Sequence, residues 1–421
     1  MRDAHVPNVS TRVSEPPPRA TESTPREENV EDRARYSGAA VAGALGILLA
    51  GFADPVHAVE GLDVSGNWSV DVVGIDQGGS GQRVRELDKL LITLDADFAK
   101  LASWSGGSAS LTFMNTSGAT PNQELGDLEG IDNIEVLPGQ RHSRLFTAWL
   151  QQDFGVVLLQ AGLIDLNAEF YADDASALLI APEFGVGSEL AASGPGGPSI
   201  FPESSLSALL AIRPDKDAYL RAAVFNADVG DPGDPGGVNT DFKDGVLEVI
   251  EAGWTAHGKL ALGAWGYSKP QDDLFDQDSA GNPLLRTSAG AYLLAEQPLY
   301  DGGDNARRLT GFVRAGLSDG NTGPFRSSWQ VGALLEHAMP GRPDSKASLA
   351  IAQALLGAKY RAAVAATGAT LAHAETHIEL TYADQMLPHL ALQPDLQYII
   401  DAGGNPGVRD FVAMMRFTAT L

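Results

Sequence analysis

From residue 64 onward the chain alternates apolar and polar residues with a period of two, in stretches of about ten separated by Gly, Pro, Asp and Asn clusters. In 87–98, Leu90, Ile92, Leu94, Ala96 and Phe98 share one face, and Thr93, Asp95 and Asp97 share the other. In 326–337, Trp329, Val331, Ala333 and Leu335 alternate with Ser328, Gln330, Gly332 and Glu336. In 374–384, Ile378, Leu380 and Tyr382 oppose Glu375, His377, Glu379 and Thr381. The final stretch sets Phe411, Ala413, Met415, Phe417, Ala419 and Leu421 against Met414, Arg416, Thr418 and Thr420. The same pattern marks strands at 64–75, 87–98, 107–115, 143–154, 155–165, 206–213, 217–226, 246–256, 259–268, 287–297, 308–317, 326–337, 345–355, 374–384, 388–398 and 410–421, sixteen in all.

The breaks fall into two kinds. Short ones, such as 214–216 and 256–258, read as tight turns, and long polar ones, 116–142, 167–205 and 227–245, read as loops on the opposite rim. An even number of ten-residue strands joined alternately by short and long connections predicts an all-β fold: a transmembrane antiparallel β-barrel of about 16 strands, with short periplasmic turns and longer extracellular loops. A soluble β sandwich or solenoid also alternates, and the pattern alone does not separate them. No fixed repeat favours the solenoid. Trp68, Trp149, Trp254, Trp265, Trp329, Tyr382 and Tyr398 fall within or at the ends of strands, where aromatic girdles are expected.

The N-terminus adds a second signal. Residues 1–32 are polar, with Pro16, Pro17 and Pro18 in a row, and read as a disordered extension or as a start assigned too far upstream. Arg33 and Arg35, the apolar run 38–52 and Val56-His57-Ala58 then supply the basic, apolar and small-residue parts of a secretory signal, with cleavage after Ala58. The alternative is an uncleaved anchor, but the run is shorter than the ~20 residues that span a bilayer. The expected organisation is therefore 1–58 as extension plus signal peptide and 59–421 as a single barrel, with export through the periplasm to the bacterial outer membrane. No other segment approaches 18 continuous apolar residues, so helical spans are not expected.

Composition narrows the function. Lys and Arg total 29 against 54 Asp and Glu, a net charge of −25. Nucleic-acid binding needs concentrated cations and is not expected. There are no cysteines, which excludes disulfides, thiolate metal sites and a Cys nucleophile. The chain carries no phosphate-binding Gly-Lys-Ser/Thr loop, no Gly-x-Ser-x-Gly elbow and no His-Glu-x-x-His, so no enzyme activity or cofactor is expected. His373, Glu375, His377 and Glu379 share one strand face, but neighbours on such a face are ~7 Å apart and no further metal ligand set accompanies them. Asp228, Asp231 and Asp234 lie in a Gly-Pro loop and lack the spacing of a calcium site.

A barrel of ~16 strands leaves an aqueous channel, whose selectivity depends on a constriction lined by charge and hydrogen-bonding groups. Strand parity places Asp95, Asp97, Arg144, Gln152, Arg221, Glu296, Arg314, Glu336, His377, Glu379 and Arg416 on the lumen side. For any one of them an ordinary solvated wall residue is the commoner role. The long, Gly-Pro-rich segment 167–205 is expected either to fold into the barrel and narrow it or to lie on the outer rim. The acidic balance disfavours anions and favours cations or neutral solutes.

Three stretches resemble the carbohydrate-selective porin family of bacterial outer membranes (OprB-type). The first runs from Leu94 through Trp104-Ser105-Gly106-Gly107, Arg144-Leu145 and Trp149-Leu150-Gln151-Gln152 to Gly162-Leu163-Ile164-Asp165-Leu166-Asn167-Ala168-Glu169-Phe170. The second is His337-Ala338-Met339-Pro340-Gly341-Arg342-Pro343-Asp344. The third is 375–382, followed by Gln393-Pro394-Asp395-Leu396-Gln397-Tyr398-Ile399-Ile400 and Gly403-Gly404-Asn405-Pro406. The chain departs from the family at Leu163, where a polar residue is usual, and at Leu421, where an aromatic is usual. The latter either weakens recognition by the barrel-insertion machinery or is tolerated. The resemblance implies a sixteen-stranded outer-membrane barrel that passes small neutral sugars into the periplasm by passive diffusion. It gives added weight to Arg144 and Asp165 among the pore-lining candidates. Two other readings remain: a general porin passing cations or organic acids, and a secreted soluble β-rich carbohydrate-active enzyme.

Overall fold

The computed structural model describes residues 59–77, 82–137, 143–230, 237–303 and 306–420. The expected signal segment with its cleavage after Ala58, as well as Asp231, Asp234 and Leu421, lies outside them.

The strands are β1 Leu62–Gln77, β2 Gln82–Asp97, β3 Gly107–Gly118, β4 Arg144–Asp153, β5 Val157–Ile164, β6 Ser205–Ile212, β7 Ala218–Asn226, β8 Val246–Trp254 and β9 Lys259–Tyr267. After β10 Gln271–Gln277 and β11 Pro283–Arg286 come β12 Ala289–Asp301, β13 Arg308–Ser318, β14 Phe325–Glu336, β15 Lys346–Leu356, β16 Ala374–Leu387, β17 Leu390–Ile400 and β18 Arg409–Thr420. Sixteen of them close into one barrel, in which β9 pairs directly with β12 and β1 pairs with β18. Every pairing is antiparallel, as hairpin connections require. The sixteen segments marked by alternation are the barrel strands. β10 and β11 form a separate two-stranded sheet in the β9–β12 connection.

Closure removes the barrel's sheet edges, so its backbone satisfies its hydrogen bonds without water and can cross a bilayer. The pleat then sorts side chains. In β13, Val313 is 49% exposed on the outer face, while Arg314 beside it is 0% exposed. The outer rows continue through Val331, Leu349, Leu380 and Leu396, all exposed. A soluble sandwich hides such rows, whereas an outer apolar band belongs to a membrane barrel. Among the described residues no helix is long and apolar enough to cross a membrane.

The inner face is less polar than simple alternation implies. Leu209, Val249, Trp265, Tyr267, Tyr292 and Leu294 point inward and are buried with Leu166, Phe170, Tyr171 and Leu190 of the β5–β6 connection. Trp265 therefore packs inside rather than in a girdle. A second inner cluster joins Val73, Ile75, Ile399, Val412 and Met414 to Leu125, Ile131 and Ile134 of the β3–β4 connection. That connection, expected on the rim as 116–142, thus turns inward over 121–137. Burial of these apolar side chains against the wall supplies the driving force, at roughly 1.5–3 kcal/mol for each large one.

Candidate functional site

Near the end of β5, ahead of the β5–β6 segment, Gly162 has a backbone φ of 140. A Cβ there would come within 2.1 Å of the Ala148 carbonyl, so the close approach of β5 to β4 requires glycine. Asp165 then caps the short helix Leu166–Glu169, accepting the Asn167 amide at 2.9 Å. The base of the segment is pinned by Ser199, whose hydroxyl donates to Ile164 O at 2.6 Å and accepts from Ser205 N at 2.8 Å.

From that base the segment runs along the inside of much of the wall. On β8, Glu251 accepts the Tyr171 amide at 3.1 Å and the hydroxyls of Tyr219 and Tyr292 at 2.7 Å each. On β12, Glu296 accepts the Ala175 amide at 2.7 Å. On β13, Arg314 donates to Tyr171 O at 2.9 Å, Gly185 O at 2.6 Å, Ser176 Oγ at 3.1 Å and Phe184 O, with Asp173 at 3.4 Å. Its guanidinium also lies 4.9 Å from the Tyr171 ring centroid. On β16, Glu379 accepts the amides of Ile180 at 2.6 Å and Ala181 at 3.0 Å, and His377 Nδ1 sits 2.7 Å from Glu183. On β17, Gln393 donates to Leu178 O at 2.7 Å.

At one point the wall yields to the segment. Glu189 Oε1 comes so close to Gly316 on β13 that an added Cβ would lie 1.7 Å from it. Burial drives the Glu189 carboxyl above its usual range, against the pull of the Ser328 hydroxyl that donates to it.

The β3–β4 segment is held by side chains of β16 and β18. Arg416 of β18 pairs bidentately with Asp71 of β1, with contacts of 2.8 and 2.6 Å, and also donates to Asn133 at 2.8 Å. Glu375 accepts Leu128 N at 2.9 Å, Glu129 N at 3.1 Å and Gly403 N at 2.6 Å. The two inward segments meet where Ser188 donates to Glu129. Burial raises the Asp127 and Glu129 carboxyls well above the usual range, with Glu375 adding to the first and Glu183 to the second.

The sequence-derived candidates divide by location. Arg314, His377 and Glu379 are fully buried under the β5–β6 segment, and Arg416 and Glu296 also bind inward segments. Arg221 lies against the Glu169 carbonyl and its carboxylate at 3.7 Å, and Arg144 pairs with Glu203 at the end of the same segment. Asp95 is exposed toward the periplasmic rim, and Asp97 caps the helix Phe98–Ala102. Glu336 lies at the same rim, 3.8 Å from Arg308 and 3.7 Å from Lys346. Gln152 accepts Trp104 Nε1 at 2.6 Å on the parity of the exposed Leu150, outside the lumen. Arg342 pairs with Asp384.

Sequence reasoning passed over Lys89, Phe201, Asp71, Glu251 and Glu203. Lys89 shares the parity of Thr93 and Asp95 on β2, a signal present in the sequence. Lys89 Nζ lies 4.9 Å from the Phe201 ring centroid, and Phe201 meets Phe146 edge-on at 6.3 Å. Burial pushes the Asp165 carboxyl up to about 6, against the Asn167 amide and the Lys89 ammonium. Lys89, Asp165 and Phe201 are half-buried.

Comparison with known proteins agrees with this architecture. The model of the carbohydrate-selective porin, OprB family, matches residues 81–421. A high-pH structure of Pseudomonas putida OprB superimposes with a TM-score of 0.77 at 19% identity, covering 86% of this chain and 94% of that one. A low-pH structure of the same protein gives 0.54 at 16% identity, with 86% and 93% covered. An anion-selective porin from Comamonas acidovorans gives 0.50 at 11% identity, with 86% and 99% covered. Among curated proteins none matches.

Proposed function

Because the chain belongs to the carbohydrate-selective porin, OprB family, and is thereby a bacterial outer-membrane porin, we propose that it gives small neutral sugars passive passage into the periplasm, with the segment 165–204 as its constriction. The observation that carries this reading is the multiple anchoring of that segment to the inner wall, from Glu251 and Glu296 through Arg314 to Glu379. A bore narrowed by a fixed segment selects solutes by contact rather than by size alone. Sugars are uncharged polyols, matched by a lining that offers donors and acceptors together, such as Lys89, Asp165, Thr93 and Thr147. The buried cations and carboxylates named above then act as the frame of the constriction, and the half-buried ones act as its surface.

A cation-preferring general porin is the second reading, favoured by the net charge of −25 and by exposed Asp95 at the periplasmic rim. Single-channel recording separates the two. Glucose in the millimolar range lowers ionic current in a graded way under the first reading. Current that ignores glucose while favouring potassium over chloride supports the second.

A further inference from the structure

His377 of β16 is fully buried, and both of its ring nitrogens face acceptors. On one side, Gln397 settles the orientation of its own amide. Its Nε2 donates to Ile131 O and to Asp395 Oδ1, each at 2.9 Å, so its Oε1 is the atom that faces His377 Nε2 at 3.1 Å. That ring nitrogen therefore carries a hydrogen. On the other side, Nδ1 lies 2.7 Å from Glu183 Oε1, and the Glu183 side chain is buried as completely. Two bare acceptors repel at that distance, so one proton lies between them, whether it rides on the ring or on the carboxyl.

The neighbours of this pair supply no replacement for that proton. Glu375 and Glu379 flank His377 on the inward row of β16. β17 presents Asp395 beside Gln397, and β15 sets only Ala352 opposite His377. The β3–β4 segment places Asp127 and Glu129 on either side of Leu128, and the amides of Leu128 and Glu129 sit on Glu375. These titratable neighbours are carboxyls rather than cations. Without the shared proton, a Glu183 carboxylate would face a ring lone pair and other carboxyls, out of contact with water.

Resting on the reading of 165–204 as the constriction, we propose that the proton shared by His377 and Glu183 is a latch that holds this segment to the wall and is released at alkaline pH, widening the channel. The latch sits where the segment is tied most closely to β16. Glu183 belongs to the short 3-10 turn Pro182–Phe184, and Glu379 accepts the amides of Ile180 and Ala181 just before it. Release sends one proton to bulk water and breaks no covalent bond. The stabilisation is present while the proton is bound and disappears as pH rises, the opposite sense to a carboxylate salt bridge lost in acid.

The test follows hydrogen exchange and single-channel conductance of the whole protein as pH is raised from about 5 to about 11, a span that brackets loss of an imidazole proton. After correction for intrinsic rates, protection of the Ile180, Ala181 and Phe184 amides falls roughly a hundredfold, the scale of breaking one buried pair, and conductance rises over the same step. Glu183→Gln meets Nδ1 with an N–H that does not titrate, and His377→Gln removes the ring. Both variants lack the step, and heat-modifiable gel mobility confirms that each barrel is folded. Protection that stays constant with pH in the wild type, or a step of equal size in both folded variants, overturns the latch. Lost protection with unchanged conductance upholds the latch and overturns the constriction reading instead.

Discussion

Replacing Arg314 with methionine removes the most heavily used anchor of the constriction while leaving the barrel ladder untouched. The guanidinium is 0% exposed and serves Tyr171 O, Gly185 O, Ser176 Oγ and Phe184 O, with Asp173 at 3.4 Å. Methionine fills similar space but donates nothing, so Asp173 and three carbonyls lose their partner in a dry setting. Removing one member of a buried pair costs about 3–5 kcal/mol. At 1.4 kcal/mol per tenfold, that shifts the docked-to-released ratio of the segment by roughly a hundred- to several-thousand-fold. The barrel retains its sixteen-stranded closure, because Arg314 contributes its backbone to β13 whatever its side chain. Single-channel recording in planar bilayers therefore gives higher or noisier unitary conductance and weaker glucose block, with normal heat-modifiable mobility. Arg314→Lys recovers part of the effect. Unchanged conductance and block in a folded Arg314→Met channel would refute the idea that this side chain holds the constriction.

Other expectations follow from the same contacts. Gly316→Val pushes a side chain into the space held by Glu189 and displaces the segment; the variant folds and conducts more, and equal conductance counts against the close approach. Asp165, pushed up to about 6 from an ordinary value near 4, keeps a proton in the native state through that window, so its contribution to stability declines as pH rises from about 4 to 6. Cation-over-anion permeability accordingly rises between pH 5 and 7 in the wild type, and reversal potentials in Asp165→Asn lose that step. Burial works to raise the Asp273 carboxyl of β10, yet Lys359, the Asp276 and Phe275 amides and Arg286 hold it down at about 2. The clasp it makes with the helix Ala358–Ala366 is complete above about pH 4 and lost as pH falls through about 2. Hydrogen exchange in 271–277 thus matches at pH 7 and pH 4 after correction for intrinsic rates, whereas Lys359→Met raises it at both.

The barrel was legible because its outer face follows one rule along most of its strands. Lipid demands apolar side chains at alternate positions, so rows such as Val313, Val331, Leu349 and Leu380 stand out against their neighbours. The inner face obeys two rules, one for the water-lined part and one for the part covered by folded-in segments. Val249 and Trp265 read as interruptions of a polar row, and only the packing of Phe170 and Leu190 explains them. The inward turn of 121–137 left little trace, since Leu125, Ile131 and Ile134 follow neither a strand nor a helix period and sit among Asn122, Glu129 and Asp132. The β10–β11 hairpin was missed for a related reason: Gln271–Gln277 carries only Leu274 and Phe275 as apolar residues and has no bilayer to face. Parity identified Arg314, Glu379 and Arg416 as inward. Only the folded chain reveals that their hydrogen bonds go to the protein's own segments.

The central claim is a water-filled barrel whose fixed inner segment favours sugars. Liposomes reconstituted with the protein and swollen in isosmotic mono- and disaccharides test it most directly. The account predicts glucose entry faster than that of uncharged non-sugar solutes of equal size, with disaccharides slowed more steeply than their radius alone implies. Swelling rates that depend on solute size only, with sugars and non-sugars on one curve, would contradict it.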